Sequence, residues 1–324
     1  MRSIVLSLLL LASVVSFAQK VEYQVQFHGI GDNREFDKAY SQTILGEITS
    51  FEIGTTLEEH HQFRLGLSHL FEFGSDMEEQ DPKLIAYYHY QDEQTAFYFG
   101  AFPRMDLINF PLALLTDTLL YYRPNIEGMY ARYNWSWGHQ NGFIDWTSRQ
   151  TDTRRESFLA GLSGEMRNGS FFFQNYITLF HYAKTKQEIE NEHITDNVGV
   201  ALYLGANLEK IIPMKRAYLK LGVLESSIRE RSVTDGFTNA FSFNGEFYGE
   251  IRNFALRANL HQGEGHQLIN GDRFYDFDSY LRTDFVWNFF NQEHIQGRFN
   301  LSFHLVDGNL DNSQQLSLVY RFGN

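Results

Sequence analysis

Beyond residue 20 the apolar side chains recur in steps of two. In the last such stretch Leu316, Leu318, Tyr320 and Phe322 share one parity, while Gln315, Ser317, Val319 and Arg321 share the other. A period of two is that of a strand with one apolar and one polar face. About sixteen such stretches can be read, within a range of 14 to 18, near 21–28, 41–54, 61–74, 83–91, 95–103, 125–137, 141–150 and 157–167, and again near 170–183, 196–208, 216–226, 238–251, 253–262, 277–290, 293–305 and 314–322. The gaps between them alternate as well. Even-numbered gaps are short, as at Asp92-Glu93-Gln94, Gly138-His139-Gln140, Asn168-Gly169, Arg252 and Asn291-Gln292, with 55–60 and 209–215 somewhat longer. Odd gaps such as 29–40, 104–124, 184–195, 227–237 and 263–276 are long. Short turns at one end and long loops at the other predict an all-β fold, a transmembrane antiparallel up-and-down β-barrel with both termini in the periplasm.

Facing follows from parity. Val198, Val200, Leu202 and Leu204 are expected to meet lipid, as are Phe254, Leu256, Ala258 and Leu260, and Phe299, Leu301, Phe303 and Leu305. Arg257, Asn259 and His261, and Gln296, Arg298, Asn300, Ser302 and His304, are then lumenal. In the third strand His69 falls among Phe63, Leu65, Leu67, Phe71 and Phe73, which calls for a bulge or an interfacial position. A soluble β-sandwich would invert the faces, but sixteen strands of bilayer-crossing length exceed a sandwich of ordinary size.

Composition then narrows the picture. Arg2, the apolar run Ile4–Val15 and Ser16-Phe17-Ala18 read as a secretory signal over 1–18, leaving the barrel over 19–324. That run is shorter than the ~20 residues of a spanning helix. There is no cysteine, which excludes disulfides, thiolate metal sites and a lipidated N-terminus. The 30 Phe and 18 Tyr against 5 Pro suit lipid-facing walls and interfacial girdles. A formal charge of −13 disfavours nucleic acid as a partner. Many acids lie in expected loops and turns, including Glu58, Glu59, Asp76, Glu78, Glu79, Asp81, Glu188, Glu190 and Glu192.

Taken whole, the mature chain resembles the general and substrate-specific porins of Gram-negative outer membranes, an architectural likeness without a sequence motif. Ala18-Gln19-Lys20 is similar to signal junctions common in Bacteroidetes. The end departs from the pattern, since Gly323 and Asn324 follow Phe322 where an aromatic terminus is usual. The resemblance implies an outer-membrane location, contact with lipid, a homotrimer as the expected assembly, and a third extracellular loop folded into the lumen. Here that loop, 104–124, carries Pro111, then Leu112, Leu115 and Leu119 at helical spacing with Asp117 on the other face.

Arg104, Asp106, Asp117, Arg123 and Glu127 border this loop, and Arg257, Arg282, Arg298 and Arg321 would stand on the opposite wall. Opposed charges across a pore set up a transverse field, so these nine are the expected constriction of a diffusion channel for small hydrophilic solutes. A barrel acting as exporter component or surface receptor would read almost identically. Tyr130, Tyr203 and Tyr248 are expected inward as wall fillers rather than sugar-stacking steps. His60-His61 and His261, Glu264 and His266 lack a recognised zinc spacing, so no metal or other cofactor is expected. The remaining alternative, an outer-membrane lipid hydrolase, would need its nucleophile and base on the lipid-facing rim; no Gly-x-Ser-x-Gly elbow occurs, and with His261, His294 and His304 expected inside, no enzyme is expected.

Overall fold

The computed structural model describes residues 21–76, 81–187 and 189–324. The expected signal segment, Glu78, Glu79 and Glu188 lie outside them. Sixteen strands form one closed antiparallel barrel in which each strand pairs with its chain neighbours. They are β1 (Val21–Glu35), β2 (Gln42–Leu57), β3 (His61–Glu72), β4 (Lys83–Gln91), β5 (Thr95–Pro103), β6 (Asn125–Trp135), β7 (Gly138–Ser148) and β8 (Ser157–Asn168). The second half holds β9 (Phe171–Tyr182), β10 (Thr195–Asn207), β11 (Arg216–Glu230), β12 (Thr238–Ile251), β13 (Phe254–Gly263), β14 (Ser279–Asn291), β15 (Ile295–Val306) and β16 (Asn309–Gly323). Every expected strand overlaps one of these. The odd-numbered connections, L1 to L8 in chain order, emerge at the extracellular end; L4 is 149–156 and L5 is 183–194.

Lipid offers backbone groups no hydrogen bond, so an open sheet edge cannot stand in a bilayer. Here β1 and β16 supply the seam, in register from Gln24↔Gly323 to Glu35↔Asn312. The last two residues extend it: Asn324 Oδ1 accepts from the Tyr23 N–H at 3.1 Å, and the Asn324 N–H donates to the Tyr23 carbonyl.

The outward face matches the parity reading. Leu204, Phe254, Leu260, Leu305, Leu316, Tyr320 and Phe322 are exposed at the barrel wall, while His261, Asn300, Ser302 and His304 are buried within. β2 and β3 pair without a register shift and Thr49 stands opposite His69, so His69 keeps its outward place with no bulge.

Two elements run longer than their patterns suggest. β1 continues through the Gly-Asp-Asn stretch to Glu35 because β2 and β16 hold its backbone from both sides. β16 begins at Asn309, since Asp307 (φ 48°) and Gly308 (φ 78°) close a two-residue turn of the primed kind. L8 is therefore short, against the rule of long odd gaps. The Asn168-Gly169 turn is displaced by one residue, to Gly169-Ser170, with Asn168 paired to Phe171.

Leu202 lies mid-strand on the outward face. Leu202→Arg is expected to destabilise the barrel by about 2–4 kcal/mol, as a cation near the bilayer midplane does. Urea unfolding in lipid vesicles, read by tryptophan fluorescence, measures it; an unchanged midpoint would place this face away from lipid.

Candidate functional site

L3 (104–124) folds into the barrel. β4 and β5 have nine residues each, so the wall is low where L3 departs. Its root is fixed by Arg104, which is buried and donates to Asp145, itself buried on β7, and to the Arg123 carbonyl at 3.0 Å. From there Phe110, Leu112, Ala113 and Leu114 cross the interior, and Leu119–Tyr122 form a single helical turn, α1. The helical spacing noted in the sequence is thus realised only in part, because the chain is pinned at several points instead of lying along one wall.

Those points form an apolar core inside the barrel. Ala113 and Leu114 pack with Leu268, Phe274 and Tyr275 of L7 (264–278) against wall residues Ala201, Tyr203, Leu224, Tyr280 and Val306. Gly199 provides the socket: a Cβ there would come within 2.5 Å of Leu114. The two loops also join through backbone, Thr116 N–H to Asn270 carbonyl at 2.7 Å and Asp272 N–H to Leu112 carbonyl at 2.9 Å. Gly271 permits that approach, since a Cβ would sit 2.2 Å from the Ala113 oxygen. A second cluster, Phe102, Leu115, Ile126, Tyr130, Phe143 and Leu159, anchors the other side of L3. Sequence reasoning missed L7 because its apolar residues, Leu268, Ile269, Phe274 and Tyr275, follow no period.

Charges cross the lumen on L3. Asp117 accepts from Arg34 at 2.9 Å and from Gln315 at 2.7 Å, and Arg34 also bonds Asp32 at 2.6 Å. Burial pushes the Asp117 carboxyl up, but Arg34, Arg282 and the Gln315 amide together hold it below the ordinary carboxylate range. Asp106 meets Arg321 at 2.8 Å, and Met105 Sδ lies against Arg321 and Gln26.

The nine expected constriction residues are dispersed. Asp106 and Arg321 meet, and Asp117 reaches the wall at Arg34 rather than at any of the four arginines set opposite it. Arg282 is buried against Asp284 at 2.7 Å beneath L7, and Arg257 stands 3.7 Å from Glu246. Arg298 is exposed within the lumen, on the parity of Asn300 and Ser302. Arg123 donates to the Thr147 carbonyl. Arg104 is enclosed at the root of L3, and Glu127 shares the outward face with Met129 and Tyr133, so neither side chain lines the open lumen. A residue bordering a loop in sequence need not point where the loop goes.

The inner histidines hold the plug. His266 of L7 is fully buried and uses both ring nitrogens, on Ser226 at 2.7 Å and Ser242 at 2.8 Å. His304 bonds Tyr280 at 2.7 Å, and its ring stacks on Phe274. Tyr130 and Tyr203 are buried wall fillers.

At the extracellular rim the outward face carries a second polar set. His181 on β9 and Asp196 on β10 stand opposite each other, with Nδ1 2.8 Å from Oδ1. Arg231 donates to both carboxylate oxygens, at 2.8 and 3.2 Å. Phe158 stacks on the His181 ring and Trp146 on Phe158. In the sequence, strand ends at 183 and 196 hid this pair at the edge of a loop.

Burial, with His261 adding a like charge, lowers the His266 imidazole from 6.5 to about 4. Released L7 takes up a proton below 6.5, whereas docked L7 resists it until about 4. Docking is therefore fully favoured above 6.5 and weakens as pH falls from 6.5 toward 4. Limited proteolysis within 264–278 is expected to speed up over that window, and to lose most of its pH dependence in His266→Gln; cleavage that ignores pH would remove this role for His266.

Comparison with known proteins places the chain. The barrel is similar to OmpTdeltaL8, a loop L8 deletion mutant of the Vibrio cholerae outer-membrane protein OmpT, with TM-score 0.57 and 8% identity over 94% of this chain and 100% of that one. It is also similar to Pseudomonas aeruginosa OccK8 (OprE), with TM-score 0.55 and 11% identity over 94% and 98%. For Pseudomonas aeruginosa OccK9 (OpdG) the values are 0.54 and 10%, over 94% and 99%. These likenesses support the porin-like outer-membrane barrel, and at such identities they carry the fold alone. No curated protein matches the chain in sequence. A family model described as Lipid A 3'-O-deacylase-type matches residues 15–323. The expectation that the chain is no enzyme is overturned by that match, because the family is named for an ester-cleaving activity.

Proposed function

The chain belongs to the Lipid A 3'-O-deacylase-type family, and within it we propose a reading for each wall of the barrel. The inner wall passes small hydrophilic solutes through a lumen that L3 narrows. One observation carries this: L3 spans the interior and ends in charged contacts on β1 and β16, at Asp117–Arg34 and Asp106–Arg321. A loop so held leaves a path bordered by paired charges, which orders water and favours polar solutes. Arg257 and Arg298 would extend that charged border below the plug, while Arg282, Asp284 and Asp272 would hold L7 above it.

Liposome swelling with sugars of graded size tests this reading. Reconstituted protein is expected to admit the smallest sugars and retard larger ones, with faster swelling in Arg321→Ala, where the Asp106 stretch of L3 is freed. Vesicles that never swell, with wild type or variant, would set it aside.

The family match specifically favours a second reading, hydrolysis of a fatty-acyl ester on an outer-leaflet glycolipid by the outer wall. Lipid substrates reach a barrel from its outward face, and the plugged interior offers them no entry. Mass spectrometry of lipid A incubated with folded protein is expected to show loss of one acyl chain; an unaltered mass would dispose of the idea. The two readings use different surfaces and do not compete.

A further inference from the structure

We infer that the lumen recognises small organic carboxylates at Arg257 and Arg298, an assignment that rests on the channel reading above and names its substrate class. A cation enclosed by a barrel wall is stable when a carboxylate stands beside it, and charges left without one at that depth mark functional sites. Several inward cations are so matched. Arg34 is bonded to Asp32 and Asp117, Arg282 to Asp284, and Lys220 reaches Glu246 at 3.1 Å. Arg257 and Arg298 are not.

Arg257 on β13 stands in register with Tyr248 of β12 and Asp284 of β14. Its Nε is buried with no acceptor, since Glu246 lies 3.7 Å away, beyond hydrogen-bond reach. Both neighbouring carboxylates are already engaged. Glu246 takes Lys220 and, at 2.5 Å, the Tyr218 hydroxyl, while Asp284 accepts from Arg282 at 2.7 Å and from Ser302 at 2.6 Å. Arg298 on β15 is exposed to the lumen and makes no hydrogen bond or ion pair among the described residues. The strongest charge acting on it is Arg257, which has the same sign. A small anion held by the two relieves that repulsion.

The shape of the donors selects the anion. Backbone N–H groups of a barrel wall are committed to the ladder, so only side chains can receive a solute there. A guanidinium offers a planar fork that matches the two coplanar oxygens of a carboxylate. The backbone nests that cradle phosphate elsewhere have no counterpart on such a wall. Arg257 lies 5.6 Å from the centre of the Tyr248 ring, itself stacked on Tyr218 at 5.3 Å, so aromatic contacts hold the fork while its pairing edge stays open.

The test compares uptake of radiolabelled gluconate with that of glucose, uncharged and similar in size, into vesicles carrying the full-length protein and clamped at zero membrane potential. Wild type is expected to admit gluconate about tenfold faster, the scale of enrichment a charged cleft produces, with acetate competing better than inorganic phosphate. Arg298→Gln and Arg257→Gln are each expected to bring the ratio down toward one. Arg257→Lys keeps the charge without the fork and is expected to retain only part of the preference. Heat-modifiable gel mobility reports folding, and if Arg257→Gln fails it, the exposed Arg298 carries the test. A wild-type ratio of one or less, a ratio unchanged in Arg298→Gln, or stronger competition by phosphate than by acetate would overturn the assignment while the channel reading stands. Entry of neither solute in wild type would end that reading and this assignment together.

Discussion

The absence of hydrogen-bonding solvent in the bilayer is the constraint on which everything else in this molecule rests. Sixteen strands satisfy it only by closing, and β1 against β16 closes them. Once the backbone is committed to that ladder, the side chains have just two destinations, and parity decides between them. The outward set is mostly apolar, and its polar members, Glu127, His69 and the His181–Asp196 pair among them, stand out. The inward set must fill or border a cylinder wider than its own side chains, and L3 and L7 supply the filling.

That filling is organised like the core of a soluble domain. Leu114 and Leu268 sit over Gly199, and Phe274 stacks across the hydrogen-bonded pair Tyr280 and His304. Around it, charges are neutralised locally: Arg34 by Asp32 and Asp117, Arg282 by Asp284, Lys220 by Glu246. Buried pairs of this kind add little net stability, yet each fixes which part of a loop meets which strand. The interior is therefore specific where a bare apolar plug would slide.

Much of the fold was legible in the sequence because period two and turn length are local signals. All sixteen strands and the outward faces of β10, β13, β15 and β16 could be read directly. The site was legible only in outline. That L3 enters the lumen followed from the porin resemblance and its apolar residues, but where Asp106 and Asp117 would land depends on contacts some 80 to 215 residues away in the chain, with Arg34 and Arg321. Glu127 was misplaced because proximity to a loop was weighed above parity, which already assigned it to the face of Met129. The His181–Asp196 pair escaped because its partners meet only when two strand ends align.

The seam carries one further consequence. Tyr23 and Asn324 lie 301 positions apart yet share the bonds that finish the wall. β1 must therefore wait, with an unpaired edge, until β16 is available. Closing so long a loop is slow, and until it happens both terminal strands can pair with other chains. The architecture thus ties survival of the nascent chain to whatever shields its two edges between secretion and insertion.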